Sequence, residues 1–136
     1  MSVEQLEVGQ VVAERELRFT RDSLVRYAGA SGDFNPIHYR DDVAASVGLP
    51  GVLAHGMLTM GAAVQPVVDW AGPERILDYQ VRFTRPVVVE PEAGAALRVV
   101  AKVGRVDDGS ARIDLTVTVA EQTVLGKAQV VVKTEG

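Results

Sequence analysis

The stretch GMLTMGAAVQPVVDWAG, residues 56–72, is apolar for most of its length, with small residues at Gly61, Ala62 and Ala63. It falls short of a membrane span, which needs about 20 mostly apolar residues, and it carries Gln65, Pro66 and Asp69. The reading left is a long buried helix whose small residues let it approach a sheet closely. Pro66 lacks the N–H that would bond back toward Ala62, so a kink is expected there, and the AGPE that follows stops the helix.

Beyond that helix the hydrophobic period falls to two. ILDYQVRFTRPVVV (76–89), AALRVVAKVGRV (95–106), ARIDLTVTVAEQ (111–122) and TVLGKAQVVVKT (123–134) alternate apolar with polar residues and are rich in Val and Thr, as half-buried strands are. DDGS, 107–110, supplies a tight hairpin turn with Gly109 available for positive φ, so the strands beside it are antiparallel. Before the helix, Leu17 and Phe19 alternate in a short strand, and Leu24, Tyr27 and Ala28 recur at helical spacing behind Thr20, an N-cap. Gly29 and Gly32 are expected to break this first helix. YRDDVAASVGLPG, 39–51, reads as one or two helical turns ending at Gly48, a surface connector. The order predicts an α+β fold: an antiparallel sheet wrapped on one long helix.

At 136 residues the chain fits one domain, 1–136. Its formal charge of −4 comes with scattered Lys and Arg, which excludes the basic stripe of a nucleic-acid binder. Cys is absent, so disulfides, thiolate metal sites and a Cys nucleophile are out. The N-terminal MSVEQLEVGQ is acidic and lacks an apolar core, so a secretory signal is not expected and a cytoplasmic location is.

Chemistry concentrates in SGDFNPIH, Ser31 to His38, and in LAHGMLTMG, which begins at Leu53. Pro36 biases Asn35 toward an extended backbone, so the octet is a shaped loop that carries Asp33 and His38. Gly56 stands where the long helix opens and backbone N–H groups have no intrahelical partner, which suits an oxygen gaining negative charge. A base, an acid and such a donor are what reversible addition of water to an α,β-unsaturated thioester requires. The same residues also fit a solvated turn, since Asp followed by Asn and Pro is common in turns. His55, just before a helix, reads as a local hydrogen-bonding or packing group. Asp33, His38 and His55 as a two-His, one-carboxylate metal set meet no local spacing rule, and the EF-hand pattern fails because His38 stands where Gly is needed. No G-x-S-x-G turn marks a covalent nucleophile.

YAGASGDFNPIHYRDDVA, Tyr27 to Ala44, resembles the hydratase 2 motif of MaoC-like (R)-specific enoyl thioester hydratases and dehydratases, and GVLAHGMLTMG resembles the segment that follows it there. The similarity extends to YQVRFTRPVVV and is strongest toward the catalytic B subunits of (3R)-hydroxyacyl-ACP dehydratases. The resemblance implies a hot-dog fold. It also implies a catalytic dyad of Asp33 and His38, a thioester oxygen facing the Gly56 N–H, and Asn35 as a substrate-binding position that helps hold the loop. The substrate implied is an enoyl-CoA or enoyl-ACP, with no metal and no cofactor. Two hot-dog units, identical or different, are expected to pair. A non-catalytic acyl-binding or supporting subunit and an acyl thioesterase are the rival readings on the same fold.

Overall fold

Thr20 ends the first strand and starts the first helix. In a computed structural model of the chain, which describes Val3 and residues 5–135, β1 (Val11–Phe19) runs into Thr20, whose backbone is still extended. The Thr20 hydroxyl accepts the Ser23 N–H and the Ser23 hydroxyl accepts the Thr20 N–H, a reciprocal cap that opens α1 (Arg21–Ser31). Met1, Ser2 and Glu4 of the acidic N-terminal segment, and Gly136, lie outside the described residues. Gly29 does not break α1 as expected. It sits inside the helix, where glycine costs only about 1 kcal/mol relative to Ala, and the helix ends at Gly32, left-handed at φ 76°, whose N–H reaches the Ala28 carbonyl.

A 3-10 turn at Pro36–His38 and a short α2 (Asp41–Ser46) follow. Arg21 fixes α2 to the body of the protein: its guanidinium donates to the Asp41 carboxylate and its Nε to the Val89 carbonyl at 2.6 Å. That pairing holds the Asp41 carboxyl below the usual carboxylate range. The connector then passes through Val52, Leu53 and Ala54 and enters α3 (Gly56–Ala71), which continues as helix through Pro66.

Four more strands complete the sheet: β2 (Ile76–Phe83), β3 (Ala95–Asp107), β4 (Ser110–Val119) and β5 (Gln122–Lys133). They stand in the order β1-β3-β4-β5-β2, every pair antiparallel. Burial alternates along β3 and β4, and the buried members Leu97, Val99, Ala101, Val103, Ile113, Leu115 and Val117 face α3 with Val130 and Val132 of β5. Each large one that is fully buried contributes about 1.5–3 kcal/mol. α3 touches all five strands, which is the hot-dog arrangement expected. No helix among the described residues is long and apolar enough to cross a membrane.

Two details differ from the sequence reading. The close approach of α3 to the sheet is carried by Ala63, Val67 and Ala71, whereas Gly61 is exposed and a Cβ there would meet nothing within 4 Å. The strand expected over 76–89 stops at Phe83, because Thr84 and Arg85 both turn their N–H groups to one carbonyl, that of Val124, and Pro86 has none to offer. Residues 87–89 pair instead with 52–54, through Ala54 N–H to Val87 O and Val89 N–H to Val52 O, each 2.9 Å.

The loop before β3 closes against the end of β1 at Gly94, where φ is +69° and an added Cβ would lie 2.2 Å from the Phe19 carbonyl oxygen. The atom it would meet is backbone and cannot rotate away. Gly94→Ala is expected to lower the unfolding free energy by about 1–3 kcal/mol from strain alone, read as an earlier urea midpoint; an unchanged midpoint would contradict this geometry.

Candidate active site

Local hydrogen bonds shape the SGDFNPIH loop one residue at a time. The Ser31 hydroxyl accepts the Asp33 N–H at 3.1 Å, and Asp33 Oδ1 accepts the Asn35 N–H at 3.2 Å. The Asn35 side chain accepts the Ile37 N–H at 3.2 Å and caps the 3-10 turn, with Asn35 itself extended at ψ 122° ahead of Pro36. With Oδ1 held by the loop, Asp33 Oδ2 faces His38 Nε2 at 3.9 Å. Asp33 is half exposed and His38 nearly buried.

The other ring nitrogen of His38 fixes its tautomer. Nδ1 lies 2.7 Å from the Leu53 carbonyl oxygen. A carbonyl only accepts, so Nδ1 carries the proton and Nε2 of the neutral ring presents a lone pair toward Asp33. The 3.9 Å gap exceeds a hydrogen bond, yet an atom about 2.8 Å from both groups fits between their free lone pairs.

A cavity of about 300 Å³ opens beside this pair, and His38, Ala54, Gly56, Thr59, Phe83 and Arg85 are among its lining residues. Its apolar wall adds Val87, Val124 and Leu125. Gly56 is the first residue of α3, and no carbonyl of the described residues accepts its N–H. The Phe83 ring packs over it, 3.1 Å from where a Cβ would stand. The structure therefore brings together Asp33, His38 and Gly56, with Asn35 holding the loop beneath them.

His55, set aside in the sequence, lies at the centre of this site. It is 1% exposed, its ring stacks on His38 with centroids 3.9 Å apart and planes 22° apart, and Tyr27 meets it edge-on at 4.7 Å. Its Nε2–H donates to the Asp33 carbonyl at 3.2 Å. Asp33, His38 and His55 do place one donor atom each within 4.8 Å of one another. A single ion must lie in the plane of each imidazole that binds it, about 2 Å from nitrogen. Two stacked rings this close to parallel have no common point at that reach, so the set does not fit one metal. The sequence carries no signal for the stack, nor for the Leu53 carbonyl, because a backbone acceptor leaves no trace in residue type.

The MaoC like domain matches residues 4–124. The chain belongs to that family. A curated relative, the 3-hydroxyacyl-thioester dehydratase X of Mycobacterium tuberculosis, is 42% identical over 78 residues, 57% of this chain. The chain spans only 27% of that protein's length. Among solved structures, a MaoC-like dehydratase superposes with a TM-score of 0.94 at 33% identity, covering 98% of this chain and 42% of the other. An R-hydratase of Pseudomonas aeruginosa in its unliganded form gives 0.77 at 30% identity, covering 97% of this chain and 84% of the other. The MaoC-like hot-dog is thus shared over almost the whole chain.

Burial opposes the charged form of His55 and holds its pKa below the ordinary 6.5. The unfolded chain then binds a proton that the folded chain does not, in the window from 6.5 down to the folded value. Stability is complete above that window and falls as pH drops through it, by at most about 1.4 kcal/mol per pH unit for this one proton. His55→Phe, which cannot titrate, is expected to remove that part of the slope in urea unfolding between about pH 7.5 and about pH 5. An unchanged slope would contradict the buried neutral ring.

Proposed function

We propose that this chain catalyses the reversible addition of water to trans-2-enoyl thioesters of CoA or an acyl carrier protein, giving (3R)-3-hydroxyacyl thioesters. The observation that carries the proposal is the pairing of Asp33 Oδ2 with His38 Nε2 at 3.9 Å, beside a cavity whose wall includes the opening residue of α3. One water held between those two atoms is placed to attack Cβ of an acyl chain lying in the apolar cavity. The dyad takes the proton that water loses and returns a proton to Cα, on the same face because both groups stand on that side. The order of proton transfer belongs to the coupled pair rather than to either residue.

As the new C–O bond forms, electrons move from the double bond through Cα to the thioester oxygen. The Gly56 N–H, with the positive end of the α3 dipole behind it, is the group that stabilises this charge. The thioester activates its own α,β-double bond, so the step needs no metal and no cofactor. Similar proteins named as dehydratases and hydratases support this over thioester hydrolysis. The MaoC-like unit, 1–136, is proposed to work as a pair, identical or not. β2 is an edge strand, and Leu77 and Phe83 on it are exposed. Sedimentation of the purified chain is expected to give a dimer; a stable, active monomer at micromolar concentration would contradict pairing.

Asp33→Asn and His38→Gln keep size and polarity while removing proton transfer. Each is expected to lower kcat for hydration of a short trans-2-enoyl-CoA by at least about 100-fold, with the double variant little worse than either single one. A chelator is expected to leave the wild type unchanged. Near-normal turnover by Asp33→Asn, or release of free thiol as the main product, would overturn the assignment.

Gly56→Pro tests the oxyanion donor. His55 already holds φ −60° and ψ 134°, the conformation a following proline requires, so the backbone tolerates the change; the added ring displaces the exposed Phe83 side chain, and Gly56→Ala, which meets the same side chain and keeps the N–H, is the steric control. The variant is expected to fold and to lose about 100- to 1,000-fold in kcat. Near-normal kcat in the folded variant would rule out this N–H.

A further inference from the structure

His55 is fully buried and touches both members of the proposed dyad, and nothing in the chemistry above uses it. We propose that His55 is a positioning residue for the dyad: its Nε2–H holds the Asp33 carbonyl while its ring face holds the His38 imidazole, so one side chain sets both partners. The inference rests on the reading of Asp33 and His38 as the reacting pair.

The geometry has two arms. The bond from Nε2 to Asp33 O, 3.2 Å, fixes the backbone from which the carboxylate swings. The stack on His38, 3.9 Å between centroids, closes one face of that ring while the Leu53 carbonyl holds its edge, so the imidazole can neither tilt nor flip. Bulky apolar side chains would serve packing equally well, yet imidazole carries a defect that they lack. With the proton on Nε2, the Nδ1 lone pair is buried and finds no partner among the described residues. An unmet buried acceptor destabilises a fold, so stability alone does not account for histidine here. The groups facing the ring are His38 from the 3-10 turn, Asp33 from the loop and Tyr27 from α1.

Packing and positioning predict opposite results. His55→Phe keeps a flat ring and loses the N–H; His55→Gln keeps a donor and loses the ring. His55 is not among the residues lining the cavity, so substrate binding is not its task. Both variants are expected to lose at least about 10-fold in kcat, since small misplacement of reacting groups is costly, with KM changed by less than about 3-fold. His55→Phe is expected to melt at or above the wild-type temperature, the margin widening below pH 6.5. A lower melting temperature with wild-type kcat in both variants would leave packing alone and overturn the inference.

Asp33→Asn is measured alongside. If it retains wild-type kcat, the dyad reading fails and this inference falls with it; if it is inactive while both His55 variants turn over normally, only the inference falls. Should neither His55 variant fold, nitrogen NMR of the wild type decides. A neutral Nε2–H tautomer on His55 that persists below pH 6.5 supports the inference, and an Nδ1–H tautomer or an unshifted titration overturns it.

Discussion

Leu53 spends both of its backbone groups on the SGDFNPIH loop. Its N–H donates to the Ile37 carbonyl at 3.1 Å and its carbonyl accepts from His38 Nδ1 at 2.7 Å. One residue thereby fixes where the loop lies, which way the His38 ring faces and which nitrogen carries its proton. Its neighbours Val52 and Ala54 are hydrogen-bonded to Val89 and Val87 on the opposite side, and two residues further on α3 begins. The distance from His38 to the α3 N-terminus is therefore set by a short ribbon hydrogen-bonded along both edges, not by flexible side chains. Cutting that ribbon would separate the proton-transfer pair from the proposed charge-stabilising N–H, whatever residues remained.

The rest of the fold serves to hold that ribbon still. α3 starts where it does because its Ala63–Val67–Ala71 face is locked on the inner face of all five strands. Arg21 ties α1 and α2 to the Val89 carbonyl from outside. The reacting groups stand on a loop, as they commonly do, but on one whose successive turns are closed by side-chain and backbone hydrogen bonds.

Much of this was legible in the residues, for identifiable reasons. Period-two alternation in 95–134 and the apolar run at 56–72 leave one arrangement, a sheet on a helix, and Thr20 at the strand–helix junction is a cap by chemistry alone. Asp33, Asn35 and His38 stand out because Gly32 ends the helix just before them and Pro36 restricts the backbone between them. The illegible parts are those that depend on contacts distant in sequence. Alternation continues through 84–89 on paper, but the residues leave β5 at Thr84 and pair with 52–54 instead. Gly61 looks like a packing residue until the helix is rotated by its other neighbours. His55 reads as an isolated polar residue because its partners lie 17 and 22 positions away.

The central claim is that Asp33 and His38 deliver both parts of one water to the same face of an enoyl thioester. Its most direct test is hydration of a trans-2-enoyl-CoA in deuterium oxide, with the configuration at Cα and Cβ of the product determined by NMR. The account predicts a (3R)-hydroxy product with a single deuterium at Cα, added syn to the new hydroxyl. A (3S) product, deuterium on the opposite face, or free thiol in place of hydroxyacyl thioester would contradict it.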